Sequence, residues 1–163
     1  MKKQVRLYNV IFPVWMLFLV PTVWLIALPS NLLIDCAVAL AVLFALKHEH
    51  KRTLLRQIWW KIWLLGFAAD FMGIAALLPS LILHDLLPDH LNDFIEPVMY
   101  NCFLSPVAFL WTAAAVAWAG VCIYLFDKAD LRSCQLLTDR QRHVLCLALA
   151  VITAPWTFFI PVY

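Results

Sequence analysis

Basic residues interrupt this otherwise apolar chain in only three places. Lys2, Lys3 and Arg6 open it. Lys47, Lys51, Arg52, Arg56 and Lys61 form a second group, and Lys128, Arg132, Arg140 and Arg142 a third. Threaded as five hydrophobic spans, the chain brings all three groups to one side of a membrane. Basic loops are retained on the cytoplasmic side, so this threading sets span number and orientation together. The amino terminus is expected in the cytoplasm and the carboxy terminus outside. A missing or extra span would scatter the charges over both faces.

Composition agrees with lipid as the solvent. Of 163 residues, 65% are hydrophobic and 13% charged, against about 45–50% and about 25% in soluble domains. Each span needs roughly 20 apolar residues. Five of them leave short loops and no room for a soluble domain, so residues 1–163 read as a single integral membrane domain. The formal charge of +2 averages a basic face and an acidic one. Nucleic acid is not an expected partner, because the orientation rule already accounts for the basic residues and anionic lipid headgroups suffice for them. Cys36, Cys102, Cys122, Cys134 and Cys146 are odd in number and form no CxxC pair, which argues against a disulfide framework or a zinc site. No motif calls for a cofactor. The apolar run from Leu7 to Leu28 is too long for a signal-peptide core, and no small-residue cleavage pattern follows it.

The fold class is therefore all-α, a polytopic bundle with spans at about 7–28, 31–46, 57–80, 98–126 and 144–162. Pro29-Ser30-Asn31 is expected to turn the chain outside, with Ser30 or Asn31 capping the second span. Trp59, Trp60 and Trp63 suit the headgroup boundary at the start of the third, where Lys61 can snorkel to water. The stretch 84–97, HDLLPDHLNDFIEP, places Asp85, Asp89 and Asp93 at spacing four. That spacing predicts a short interfacial amphipathic helix. Ala113–Gly120 supplies small residues for close helix approach, and Thr138 with Gln141 fits a capping box. No internal repeat of the transporter kind is present.

A polar group in hydrocarbon is costly, so its depth carries information. Asp35 follows the expected outer turn by one helical turn, and Asp70 lies about 12 Å below the outer end of its span at helical rise. Asn31, Asn101, Ser105, Thr22, Thr153 and Thr157 also fall in the outer half. Pro21, Pro29, Pro79, Pro97, Pro106, Pro155 and Pro161 share that half, with Pro13 alone in the inner one. Broken backbone at membrane depth is tolerated where it is buried or lines a wet cavity. The two patterns predict a polar, outward-facing pocket above an apolar floor.

Three chemistries fit such a pocket. The leading one is binding or transport of a proton, a cation or a small ligand, with Asp70 as coupling acid, Asp35 as its partner, and Asn31, Asn101 and Ser105 as polar donors. The alternative is a non-catalytic subunit or anchor of a larger complex, alone or as a homo-oligomer. An intramembrane aspartyl hydrolase ranks last, because the settings LLIDCAV and GFAADFMGI match neither glycine-aspartate motif of membrane aspartic proteases. No histidine stands at pocket depth to serve a serine or cysteine nucleophile, and no catalytic residue is assigned. His48-Glu49-His50 and the group His84, Asp85, Asp89, His90 and Asp93 lack the spacing of a strong metal signature, so no metal is assigned. Charge asymmetry and compactness fit a bacterial cytoplasmic membrane.

Overall fold

The computed structural model describes residues 20–161. Four of its helical segments are long and apolar enough to cross a membrane: Trp24–Ala45, Lys51–His84, Pro106–Ser133 and Asp139–Phe159. The helices are α1 (Pro21–Ala45), α2 (Lys51–Leu77), α3 (Pro79–Leu86), α4 (Asp89–Ile95), α5 (Pro106–Asp130) and α6 (Asp139–Ile152), with short 3-10 turns at Glu96–Met99, Cys102–Leu104, Leu131–Ser133 and Trp156–Phe159. The all-α expectation holds. The first expected span, 7–28, lies outside the described residues over 7–19, and so do Lys2, Lys3 and Arg6.

The clearest departure from expectation is at Pro29. The chain does not turn at Pro29-Ser30-Asn31; α1 passes straight through them, with Pro29 inside the helix. Proline removes one backbone donor and crowds the carbonyl four residues before it, but its fixed φ is helical, and α1 carries it at an exposed position. The expected interfacial helix is also revised. Pro88 adopts an extended ψ of 150° before α4, which divides the segment into α3 and α4. The helix of the fourth expected span, α5, starts at Pro106 rather than near 98, and α6 stops at Ile152, short of 162.

The long helices contact one another in sequence order around a ring: α1 with α2, α2 with α5, α5 with α6, and α6 with α1. Short connections make neighbours antiparallel. His48 Nε2 meets the Leu136 carbonyl at 2.9 Å, which ties the connections on either side of the ring at one end, here called the basic end. The α1 terminus there closes in a Schellman turn: His48 N–H donates to Leu43 O and Lys47 N–H to Phe44 O, both at 3.0 Å, with Lys47 at φ 50°. The capping box at α6 is present, with Thr138 and Gln141 reciprocating. At the opposite end Pro79 breaks the α2 ladder, and the freed carbonyls find side chains. Trp111 Nε1 donates to Ala76 O at 2.9 Å and Ser80 Oγ to Leu77 O at 2.7 Å, which supplies two acceptors there with partners. Trp63 is not a boundary residue: it lies well inside α2 and donates to Leu28 O at 2.9 Å.

The core has two apolar clusters. One, toward the basic end, gathers Ala39, Leu43, Ile58, Ile62, Ala69, Ile123, Leu145 and Leu149. The other gathers Ile74, Leu77, Val98, Ala108, Ala115, Val116, Ala154 and Phe158. Outward-facing apolar side chains are abundant, among them Leu25 at 79% and Ile26 at 74% exposure, as expected where lipid rather than water surrounds the helices.

Candidate functional site

Polar positions stand where the two clusters part on α2 and just beyond α6, and at the edge of the first cluster on α1. Asp70 follows Ala69 of one cluster and precedes Ile74 of the other; Thr153 stands between Ala150 and Ala154; Asp35 lies one turn beyond Ala39. These residues meet at the seam between α1, α2 and α6. Asn31 Nδ2 donates to Asp70 Oδ2 at 3.1 Å. Asp35, one turn along α1, interacts electrostatically with Asp70 and lies beside the Thr153 hydroxyl. Thr153 Oγ1 can donate its single proton to Leu149 O, 2.8 Å away, or turn it to Asp35, and it can accept from Asp35 when that acid carries a proton.

Gly66 makes the seam possible. A Cβ at this position would stand 3.3 Å from Asp35 Oδ2, so any side chain on α2 there would press on the carboxylate. The antiparallel register that pairs Asn31 with Asp70 brings Gly66 opposite Asp35, and the carboxylate occupies the space the missing side chain leaves.

Continuity of α1 changes the depth of the site. Asp35 lies about 21 Å along the helix from Pro21 and about 15 Å from Ala45 at 1.5 Å per residue, near mid-helix rather than one turn below an outer loop. The expected open, outward-facing pocket is also replaced by something closed: Asp35 is 2% and Asp70 4% exposed. The expectation of an apolar inner half gives way as well. Asp127, placed in a polar loop by the sequence, sits inside α5 at 1% exposure. It lies beside Cys146 of α6 and within electrostatic range of Asp35 and Asp130.

The structure brings together three of the five expected site residues, Asn31, Asp35 and Asp70, and leaves two apart. Asn101 caps its own 3-10 turn by accepting from Phe103 N–H at 3.1 Å. Ser105 caps α5, accepting from Ala108 N–H at 3.4 Å and donating to Phe94 O at 2.8 Å. Gly73 packs against Ala115 and Ala119, so Ser105 lies about 15 Å of helix beyond that level. Both are committed to backbone closure. Asp127 is the residue that sequence reading missed; within one turn of Lys128 and Asp130 it carried no local signal of burial.

Each of the three interior acids has a carboxylate oxygen with no hydrogen-bond partner: Asp35 Oδ2, Asp70 Oδ1 and Asp127 Oδ1. Among the described residues no Lys, Arg or His lies within ion-pair distance of them. An isolated carboxylate in a medium of low dielectric is too costly to keep bare. Such a group takes up a proton or a cation, and that exchange is the chemistry this arrangement offers.

The histidine motifs resolve differently. His48 is buried and serves as a strut, bonded to Leu136 O through Nε2 and accepting His50 N–H at 3.2 Å through Nδ1. In the 84–93 group, the side chains of Asp85 and Asp89 lie outside the described ones. Among the described residues no three His, Cys, Asp or Glu side chains converge on a metal position.

Comparison of the chain with protein-family models, with curated proteins and with solved structures returned no match.

Proposed function

We propose that this small polytopic membrane protein binds, and passes across the bilayer, a proton or a small cation at the Asp35–Asp70 seam. The observation that carries the reading is the pair of buried carboxylates on adjoining helices, each with an unpartnered oxygen and neither with a protein cation. A structural polar contact would spend its hydrogen-bonding capacity, as Asn101 and Ser105 do. These acids hold theirs in reserve. Asp127 extends the set toward the basic end and serves as a further station, with Asp35 between it and Asp70. Thr153 accepts from Asp35 when that acid carries a proton. In this reading the closed seam is the occluded state, and access opens first toward the proline-rich end, where Asn31 stands half-buried.

The basic end is assigned to the cytoplasm by its Lys and Arg residues. The end of the bundle that holds Trp156–Phe159 is then the outer one. A bacterial cytoplasmic membrane suits this arrangement.

Carboxyl infrared difference spectra of the full chain in lipid test the proposal. Stepping pH, or adding sodium or potassium at fixed pH, is expected to change the carboxyl bands of wild type and to leave Asp70→Asn with a reduced response. Spectra indifferent to every cation and to pH would overturn the proposal and leave the acids as helix-to-helix contacts.

A further inference from the structure

A second feature lies away from the acids. A groove of about 590 Å³ runs between α5 and α6 on the face turned from the rest of the ring. Its floor is made of small residues, Ala113, Ala117, Gly120 and Ala150, and Trp156 stands toward one end. Gly120 sets its depth: a Cβ there would stand 3.1 Å from the Ala150 carbonyl, so the helices nearly touch beneath the groove. The rims are apolar and open to lipid, with Val121, Leu147 and Val151 about half exposed.

The basic end of the groove is polar. Lys128 Nζ donates to Tyr124 OH at 2.7 Å, and Tyr124 OH lies 2.9 Å from His143 Nδ1. Lys128 also sits over the Tyr124 ring, 4.9 Å from its centroid. Among the described residues Lys128 has no carboxylate partner within 4.0 Å. With His143 in its Nε2–H tautomer, the tyrosine gives its one proton to Nδ1 while accepting from the lysine. The Nε2–H of His143 and two N–H groups of Lys128 then remain as donors. A cationic, donor-rich cluster at the mouth of an apolar groove matches an amphiphile with an anionic head.

We propose that this groove is a binding site for an anionic phospholipid, its phosphate held by Lys128 and His143, which Tyr124 joins, and one acyl chain lying along Ala117 and Gly120. Basic pockets between membrane helices on the cytoplasmic side hold anionic headgroups in this way, and the groove volume falls in the range of small-ligand sites, about 300–1,000 Å³. The site does not depend on the acid seam, so either proposal can fail alone.

Native mass spectrometry of the full chain, released from bilayers holding equal phosphatidylglycerol and phosphatidylcholine of identical acyl chains, decides the matter. Wild type is expected to retain phosphatidylglycerol about fivefold over phosphatidylcholine. Lys128→Gln with His143→Gln is expected to bring the two to parity. Ala117→Trp, which fills the groove from its lipid side without entering the α5–α6 contact, is expected to reduce retention of both. Equal retention by wild type would overturn the site, as would a preference untouched by the double change. A dimer that Ala117→Trp dissociates, with lipid retention unaltered, would assign the groove to a second copy instead.

Discussion

Asp127 and Asp130 are three residues apart on one helix and live under opposite conditions. Asp130 is at the rim, its side chain 28% exposed, and takes both of its oxygens to Lys61 Nζ at 2.9 and 3.0 Å. Asp127 faces the interior at 1% exposure, with an oxygen unpartnered. The same contrast holds on a larger scale. At the rim, caps, ion pairs and the Schellman turn close many polar groups, while Arg142 Nε, Asn92 Oδ1 and His84 Nδ1 have no hydrogen-bond partner. Along the α1–α2 seam and down to Asp127, acids are buried with capacity unspent. Rim polarity holds the ends of the helices together. Interior polarity costs stability, a cost that the proposed exchange with a proton or cation would account for.

Several substitutions press on that distinction. The largest effect is expected from combining Asp35→Asn with Asp70→Asn: the cation- and pH-dependent infrared response falls to background, while thermal unfolding in detergent moves little, since amides keep the shape and remove the charge. A collapse of folding together with the response would place the seam on the same footing as the rim. Next comes Gly66→Val, which drives a branched side chain into the space 3.3 Å from Asp35 Oδ2. Overpacking of this kind costs about 1–3 kcal/mol, and cation response is expected to weaken with it; denaturant titration alongside the spectra separates the two.

Rim changes are expected to be milder and to leave the response intact. Lys47→Gly relieves a non-glycine residue at φ 50° and is expected to stabilise the α1 terminus by about 1 kcal/mol, read as a rise in unfolding midpoint. Smallest of all, Lys61→Met removes a part-exposed ion pair worth about 0.2–1 kcal/mol. Should Lys61→Met abolish the cation response as Asp70→Asn does, the pair with Asp130 belongs to the pathway rather than to the rim.

Much of this was legible in the sequence, for reasons that differ by residue. Apolar length and the basic groups marked the long helices because lipid imposes both. Thr138 and Gln141 announced their box because capping is local chemistry. Asp35 and Asp70 stood out because acids are expensive at membrane depth. Pro29 misled, since a proline flanked by Ser30 and Asn31 has the local signature of a turn, and only packing along α1 decides for helix. That one misplacement shifted the estimated depth of Asp35. Asp127 was hidden by its company: among Lys128, Asp130 and Arg132 it reads as loop, and only the continuation of α5 to Asp130 turns it inward. Asn101 and Ser105 had the right residue types, but backbone closure claimed them.

The break at Pro79 has a consequence for where in a cell this protein can reside. Unbroken, the apolar run Lys51–His84 would be a rod of about 51 Å, far beyond the roughly 30 Å of a hydrocarbon core. Ending α2 at Leu77 leaves about 32 Å of helix from Arg56, and the surplus is set apart as α3. A single imino acid thus works as a thickness gauge. Membranes a few ångströms thinner or thicker are met by modest tilt, whereas a chain without the break would be sorted to the thickest bilayer available.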